Sequence, residues 1–305
     1  MAGYIIRRIL VMIPLLWAVA TVTFFLMHAV PGGPFDREKP LPPATQLVLE
    51  QKYHLDGSIG HQYMYFLNDL AHGNLGQSFR QDRSVTSVLK AGAPTTLQLG
   101  ICAFLFAIVF GLILGTLSAV NQNGPMDYFG VFIATAFVAV PNFVLAVFLI
   151  VVLAVKFGWF DVLGWDITNY RQMVLPTIAL GALPLAYIAR ITRASMLEVL
   201  RQDYIRTARA KGLTELRVVI RHAARNSLIP ILTVAGPILA TLVTGSFIIE
   251  QTFAIAGIGT AFVNAISVRD YGVIMGTTLL FAFTIALLNL AVDVAYGIVD
   301  PRIRY

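Results

Sequence analysis

The stretch I-L-V-M-I-P-L-L-W-A-V-A-T-V-T-F-F-L-M-H-A-V, from Ile9 to Val30, decides the class of this chain. It holds no Asp, Glu, Lys or Arg, and about 20 such residues in a helix are enough to cross a bilayer. Arg7 and Arg8 precede it as in a signal peptide, but the run is too long for the apolar part of a cleaved leader. We therefore predict an uncleaved first transmembrane helix.

Composition extends this interpretation to the whole chain of 305 residues. Apolar residues make up 57% of it and charged residues 12%, about half of the charged share that is usual in a globular domain. Pro176 and Pro184 interrupt the fourth apolar run, which makes it the least clear of the candidate spans. We predict an all-α membrane protein of about six transmembrane helices. The candidate spans are 9–30, 96–120, 129–155, 173–195, 228–249 and 273–297.

Lysine and arginine predict the orientation, because the cytoplasmic loops of membrane proteins carry the excess of positive charge. With both termini in the cytoplasm, thirteen of the 22 basic residues lie on that side. They are Arg7, Arg8, Arg190, Arg193, Arg201, Arg206, Arg209, Lys211, Arg217, Arg221, Arg225, Arg302 and Arg304. The short outer loops hold Lys156, Arg171 and Arg269. We therefore expect both termini to be cytoplasmic.

Residues 31–95 differ in kind from the apolar runs on either side of them. The segment is polar, carries charges of both signs and places apolar side chains such as Tyr63 and Phe66 at helical spacing. We predict three parts: residues 1–30 with the first span, a small extracytoplasmic cap over 31–95, and a core over 96–305. Two roles of the cap are equally open. It either docks a partner or only stabilises the helical bundle.

Segment 197–227 stands out from the core by its charge, with seven basic and three acidic residues. Its pattern predicts a cytoplasmic hairpin of two short helices. Leu200, Tyr204 and Ala208 recur at every fourth position and form one face of the first helix. Gly212 is suited to end that helix, because glycine adopts a positive φ without strain. The second helix is predicted to place on one face Leu216, Val219, Ile220 and Ala223.

Three functions fit a basic helical hairpin on the inner side of a membrane. A short helix held in the groove of a partner transmits the motion of that partner to the helices that flank it. A basic loop also follows from the positive-inside rule alone. A helix-turn-helix that binds DNA is disfavoured, since the segment is short and tethered to the membrane.

The nonapeptide Y-I-R-T-A-R-A-K-G, Tyr204 to Gly212, resembles the coupling loop of the dipeptide and oligopeptide permeases of ABC importers. The general Glu-Ala-Ala form of that loop is only partly met, because Arg206 and Thr207 replace its first two residues and His222 replaces an isoleucine. Other segments resemble the same family along the whole chain. They are Y-I-I-R-R-I-L at 4–10, P-G-G-P at 31–34, G-N-L-G-Q-S-F at 73–79, E-Q-T-F-A-I-A-G-I-G at 250–259, R-D-Y at 269–271 and D-P-R-I-R-Y at 300–305.

The resemblance implies a type I importer permease in a bacterial or archaeal plasma membrane. Its implied partners are a second homologous permease, two cytoplasmic ATPase subunits or domains, an extracytoplasmic solute-binding protein and membrane lipid. ATP and Mg would be bound by the ATPases, so no cofactor is expected in this chain. The coupling residues that the resemblance carries over are Tyr204, Ile205, Arg206, Ala208, Arg209, Lys211 and Gly212.

Within this set, the apolar contact with the ATPase is expected from Tyr204, Ile205 and Ala208, and the cations are expected at its rim. The resemblance implies peptides as the solute. Related permeases carry nickel, haem or sugars, so the solute stays open.

The sequence lacks the motifs of ATP binding and of metal binding. No G-x-x-x-x-G-K-[ST] loop for ATP phosphates is present, and neither H-E-x-x-H nor clustered Cys and His indicates a metal site. We therefore expect neither catalytic residues nor nucleic-acid binding. A stand-alone secondary transporter or channel is the alternative. Inverted repeats and charges at mid-membrane would favour it, and the sequence shows neither.

Two acidic residues near the ends of predicted spans are candidates for pathway or structural roles. Asp293 is expected to pair with a cation at the same depth, namely Arg7, Arg8 or Arg190, or else to line the pathway. Glu250 is predicted at the outer end of the fifth span, where it is interfacial or meets the ammonium group of a solute.

Overall fold

The computed structural model describes residues 2–35 and 42–299, and these residues are almost entirely helical. The helices are α1 (Ala2–Ala29), α2 (Pro43–Lys52), α3 (Ile59–Ala71), α4 (Val85–Val120), α5 (Pro125–Ala139), α6 (Asn142–Leu149), α7 (Tyr170–Leu200), α8 (Asp203–Ala210), α9 (Glu215–Arg217), α10 (Arg225–Val243), α11 (Phe247–Thr252), α12 (Ile258–Val268) and α13 (Tyr271–Val299). A π-helical segment, Ile150–Lys156, continues α6, and another, Val218–Ala224, joins α9 to α10. The motif at 300–305 lies outside the described residues.

Five helical stretches in the described part of the chain are long and apolar enough to cross a membrane. They are Ile5–Ala29, Val85–Val120, Tyr170–Leu200, Glu215–Val243 and Tyr271–Val294. The pair Pro125–Ala139 and Asn142–Lys156 makes a sixth span if it is counted as one. The predicted number of about six is therefore confirmed.

The third predicted span, 129–155, is not one straight helix, because its two halves meet at an angle of 107°. Val140 is extended, and Pro141 precedes the first residue of α6. Proline has no N–H to continue the hydrogen bonds of α5, and it drives the residue before it out of the helical region. Pro141 therefore divides the predicted span into two helices.

The fourth predicted span shows the opposite outcome. α7 runs unbroken from Tyr170 to Leu200 through both Pro176 and Pro184, and it is the most buried of the five candidate spans. The candidate span that the sequence left least clear is therefore confirmed as a continuous helix. Neighbouring helices surround α7, and a packed environment stabilises a helix that lacks two backbone donors.

The fifth predicted span, 228–249, ends too late. α10 stops at Val243, and Gly245 takes a φ of +86° that a continuing helix does not allow. A new short helix, α11, then begins after Ser246, whose side chain accepts a hydrogen bond from the N–H of Ile249. Glu250 therefore belongs to a separate helix.

The chain divides into two compact units, Met1–Thr96 with Ala256–Tyr305, and Leu97–Ile255. In the first unit, α1 and α12 both pack against α13. α3 is fastened to α1 by a hydrogen bond of 2.7 Å between the hydroxyls of Tyr63 and Thr21. The segment predicted as a separate cap thus packs in one unit with α1, α12 and α13.

Two of the family-like motifs meet in this unit at the carboxylate of Asp270, which is 1% exposed. That carboxylate accepts hydrogen bonds from the hydroxyl of Ser78, from the N–H of Phe79 at 3.0 Å and from the N–H of Val273 at 3.3 Å. The last of these caps the start of α13. Asp270 therefore joins the loop before α4 to the beginning of α13, and we call this contact the Asp270 junction.

The second unit is built around α7, against which α5, α6 and α10 pack. Its largest apolar cluster includes the fully buried side chains of Leu99, Leu175 and Ile249. At the end of α7, the chain leaves this cluster and forms the basic segment that the sequence singles out.

Candidate functional site

The basic segment folds into the predicted helix–turn–helix, but its first helix begins later than expected. α7 ends at Leu200, and Gln202 is extended before α8 starts at Asp203. Leu200 is therefore not on the face of α8 that the fourfold spacing predicted. We call residues 203–224 the hairpin.

Gly212 makes the turn of the hairpin. Its φ is +76°, and its N–H donates to the carbonyl oxygen of Arg209 at 2.9 Å. A Cβ placed on Gly212 meets no heavy atom within 4 Å. The conformation therefore favours glycine at this position and crowding does not, because a side chain in the left-handed region is strained even where space is available.

The apolar face of α8 is used inside the chain. Ile205 is fully buried and Ala208 is 7% exposed. Their cluster contains Ala119 at the end of α4, Met196 of α7 and the buried side chains Val218, Val219 and Ala223. Ile205 and Ala208 therefore pack against residues of their own chain, and their contact with an ATPase stays a prediction. Amphipathic spacing identified the buried face correctly, but it does not say which surface covers that face.

In the second half of the hairpin, two residues of the predicted apolar face are buried and two are exposed. Val219 and Ala223 are buried, whereas Leu216 is 71% exposed and Ile220 is 63% exposed. Val218 is buried in their place. The cause is the π-helical segment Val218–Ala224, whose i→i+5 hydrogen bonds shift the positions that face inward.

Large apolar side chains therefore remain exposed on the hairpin, namely Tyr204, Leu216 and Ile220. The hydroxyl of Tyr204 accepts a hydrogen bond of 2.7 Å from the side-chain amide of Asn226, which fixes this ring against the start of α10. We call these three side chains the exposed hairpin residues.

The second half of the hairpin forms the start of the candidate span Glu215–Val243. The stretch Glu215–Val243 is about 43 Å long at 1.5 Å per residue, whereas the hydrocarbon core is about 30 Å thick. Arg217, Arg221 and Arg225 are exposed near its start, where charges are costly inside lipid. The exposed hairpin residues therefore lie outside the hydrocarbon core.

The predicted rim cations differ in their surroundings. Arg209 makes two hydrogen bonds to the carboxylate of Glu215, at 3.0 Å and 2.6 Å, and this contact raises the pKa of Arg209. Arg206 lies 3.4 Å from Asp203 in a largely exposed pair. Lys211 is exposed in the turn. Arg209 thus closes the hairpin across its turn, a role that sequence spacing did not reveal.

A second ion pair, between α5 and α7, was not predicted from the sequence. Arg193 of α7 makes a bidentate contact with Asp127 of α5, at 2.6 Å and 2.7 Å, and Asp127 is 4% exposed. The same carboxylate accepts the N–H of Asn123 at 2.9 Å. The pair ties the turn before α5 to α7, two turns before the hairpin begins. The sequence did contain a signal for this pair. Asp127 is a single acidic residue beside a long apolar run, and Arg193 lies on the next span.

The two other acidic candidates lie in different units. Glu250 is fully buried in α11, and its predicted role at the interface or toward the ammonium group of a solute stays a prediction. Asp293 of α13 lies 2.7 Å from Arg8 of α1, one of its three expected partners. Among residues 2–35 and 42–299, no group of three or more His, Cys, Asp or Glu side chains is arranged to hold a metal ion.

Comparison with known families now gives the hairpin its context. A family model described as the inner membrane component of binding-protein-dependent transport systems matches residues 89–305, and the model for the N-terminal part of such components matches residues 1–100. The chain belongs to this family. The resemblance predicted from short motifs is thereby confirmed, and the permease is a membrane subunit of an ABC importer, not an enzyme.

Curated relatives match the permease along its full length. The dipeptide transport system permease protein DppB of Bacillus subtilis (strain 168) is 43% identical over 305 residues, which cover 100% of this chain and 98% of that protein. The oligopeptide transport system permease protein OppB of Salmonella typhimurium is 42% identical over 306 residues and 100% of both chains.

A solved structure confirms the fold class. An inward-facing structure of the MetNI methionine ABC transporter aligns with a TM-score of 0.56 at 21% identity, over 70% of this chain and 97% of that chain. The predicted all-α fold of a type I importer permease agrees with this likeness.

Proposed function

We propose that the permease forms half of the translocation pathway of an ABC importer that carries dipeptides or oligopeptides into the cytoplasm. A second homologous permease would supply the other half, a solute-binding protein would deliver the peptide outside, and two ATPase subunits or domains would bind ATP and Mg. The full-length likeness to peptide permeases supports the solute class. The asymmetry of the basic residues supports an inner position for both termini and for the hairpin.

The observation that carries the mechanism is the division of the hairpin into a buried face and an exposed face. Ile205 fastens α8 to α7 and to the π-helical segment, so that the hairpin moves with both spans. The exposed hairpin residues are free to enter a groove on an ATPase, and apolar anchors surrounded by cations are typical of such contacts. Closure of the ATPases would then shift α7 and α10.

The Arg193–Asp127 pair extends this connection to a further helix. A bidentate ion pair with a nearly buried carboxylate fixes both position and angle, so displacement of α7 also moves the start of α5. Three helices that line or flank the unit's core would thus respond to one cytoplasmic contact.

Reconstitution of the whole importer tests the proposal. The permease, its second permease, the ATPases and the solute-binding protein are placed in liposomes, and uptake of a labelled dipeptide is measured with ATP and with a non-hydrolysable analogue. We expect uptake only with hydrolysable ATP and all subunits. Uptake by the permease alone would instead identify a stand-alone transporter, and labelling of cysteines at 58 and 213 from opposite sides of the membrane checks the orientation.

A further inference from the structure

One narrow face of α7 remains uncovered within the second unit. Between Arg171 and Arg193, the exposed side chains of α7 are Leu183, Tyr187 and Arg190, and the others are buried or half-buried. Their spacing of four and three residues places all three on one side of the helix.

This face borders a groove of about 380 Å³ on the same unit. α7 contributes Leu183, Pro184, Tyr187 and Arg190 to the lining. The opposite wall comes from α10 and contains Pro237, Ile238, Thr241 and Leu242. The groove is open and mostly apolar, and a phenol, a hydroxyl and a guanidinium group belong to its lining residues.

The depth of the groove makes these polar groups informative. At 1.5 Å per residue, Tyr187 lies about 25 Å and Arg190 about 30 Å along α7 from Tyr170, so the groove reaches the inner half of the membrane. Pro184 and Pro237, one on each wall of the groove, lack an N–H and interrupt the hydrogen bonding of their helices. Tyr187 lies within the inner half of the span, where a polar group is costly against lipid, and Arg190 lies at the cytoplasmic end of the same face, where its charge is tolerated.

Arg190 differs from its neighbour Arg193 in one decisive respect. Arg193 is neutralised by Asp127. Arg190 is exposed, and it forms no ion pair or hydrogen bond with residues 2–35 or 42–299. A guanidinium group of this kind is best matched by a carboxylate, which accepts two parallel hydrogen bonds from it.

We propose that the groove is the part of the translocation pathway that the solute crosses on its way inward, and that Arg190 binds a carboxylate group of the solute. Tyr187 supplies a hydroxyl group to the amides next to that carboxylate, and Thr241, whose hydroxyl donates to the carbonyl oxygen of Pro237 at 2.9 Å, offers an acceptor to an amide N–H. The inference rests on the proposed function, since a peptide carries both a terminal carboxylate and amide groups. It gives the permease a selectivity of its own, separate from that of a solute-binding protein.

Removal of one charge from the peptide and one from the permease tests the contact. In the reconstituted importer, uptake of a peptide with a free C-terminus is compared with uptake of the same peptide amidated, both at concentrations that saturate the solute-binding protein. We expect Arg190→Gln to lower uptake of the free peptide by about tenfold or more and to leave the amidated peptide unchanged. Arg190→Lys should recover part of the loss.

Arg193→Gln is the matched control, because it breaks the structural pair with Asp127 and should lower the uptake of both peptides alike. An equal loss of both peptides in Arg190→Gln would overturn the inference and make Arg190 a structural cation. Wild-type importer that takes up neither peptide would instead count against the proposed function.

Accessibility of the groove is a second test that does not depend on uptake. Tyr187→Cys and Thr241→Cys are made with Cys102→Ala, and inside-out membranes of the whole importer are treated with a charged thiol reagent. We expect both cysteines to react and a transportable peptide to slow the reaction, whereas Val147→Cys on the exposed side of α6 stays unreactive. Cysteines as unreactive as Val147→Cys would show that lipid or the second permease covers the groove, and would overturn the inference.

Discussion

The hairpin and the Asp270 junction are both built from segments that resemble one permease family, yet they are held together by opposite means. The hairpin is fastened by an apolar cluster around Ile205, and it leaves three large apolar side chains exposed. The Asp270 junction is fastened by one buried carboxylate with three donors. In both regions the recognisable motif contributes the internal fastening. The residues that meet a partner are therefore to be sought among the exposed side chains within and beside each motif.

The largest effect is expected at the Asp270 junction. Asp270→Ala removes the acceptor of Ser78, Phe79 and Val273, and each buried donor left without a partner costs about 1–3 kcal/mol. We expect a loss of about 3 kcal/mol or more in stability and a clear fall in the thermal unfolding midpoint of the solubilised permease. Asp82→Ala is the control, because the Asp82 side chain is 91% exposed and forms an ion pair with the exposed Lys52. Equal midpoints for the two variants would contradict the role of the junction.

A somewhat smaller effect is expected inside the hairpin. Ile205→Ala leaves a cavity in the cluster with Met196 and Val218, and such truncations cost about 2–5 kcal/mol. We expect the hairpin to become sensitive to protease while the spans stay inserted, as measured by limited proteolysis of membranes. Tyr204→Phe keeps the ring and loses one hydrogen bond to Asn226, so it should remain resistant. Resistance of Ile205→Ala would show that the cluster does not hold the hairpin.

The smallest effect is expected at the turn. Gly212→Ala forces a side chain into the left-handed region, which costs about 1 kcal/mol, and no neighbour adds a clash. Gly212→Asn should cost less, because asparagine tolerates this conformation better than alanine. Partial loss of uptake with alanine and near-normal uptake with asparagine is expected in the reconstituted importer. Complete loss with both variants would indicate that a partner fills the space beside Gly212.

The sequence predicted the membrane class, the number of spans and the hairpin, because long uncharged runs and helical spacing are local properties. It did not predict the separation of α7 from α8, since no proline or glycine marks Leu200 to Gln202. The π-helical segment changes the period within a run of ordinary helix formers. The Asp127–Arg193 pair and the burial of Glu250 depend on contacts between distant helices. Helical spacing predicted which face of α8 is apolar and buried, but it did not predict which residues cover that face.

The most direct test of the account is copurification of the ATPase with variants of the exposed hairpin residues. Leu216→Asp and Ile220→Asp place a charge where an apolar contact is proposed, and neither side chain packs in the cluster around Ile205. We predict that both variants keep the unfolding midpoint of the wild-type permease but lose the ATPase on solubilisation, whereas Arg206→Ala retains it. Full retention of the ATPase by both charged variants, with normal peptide uptake, would contradict the claim that the hairpin couples the permease to ATP hydrolysis.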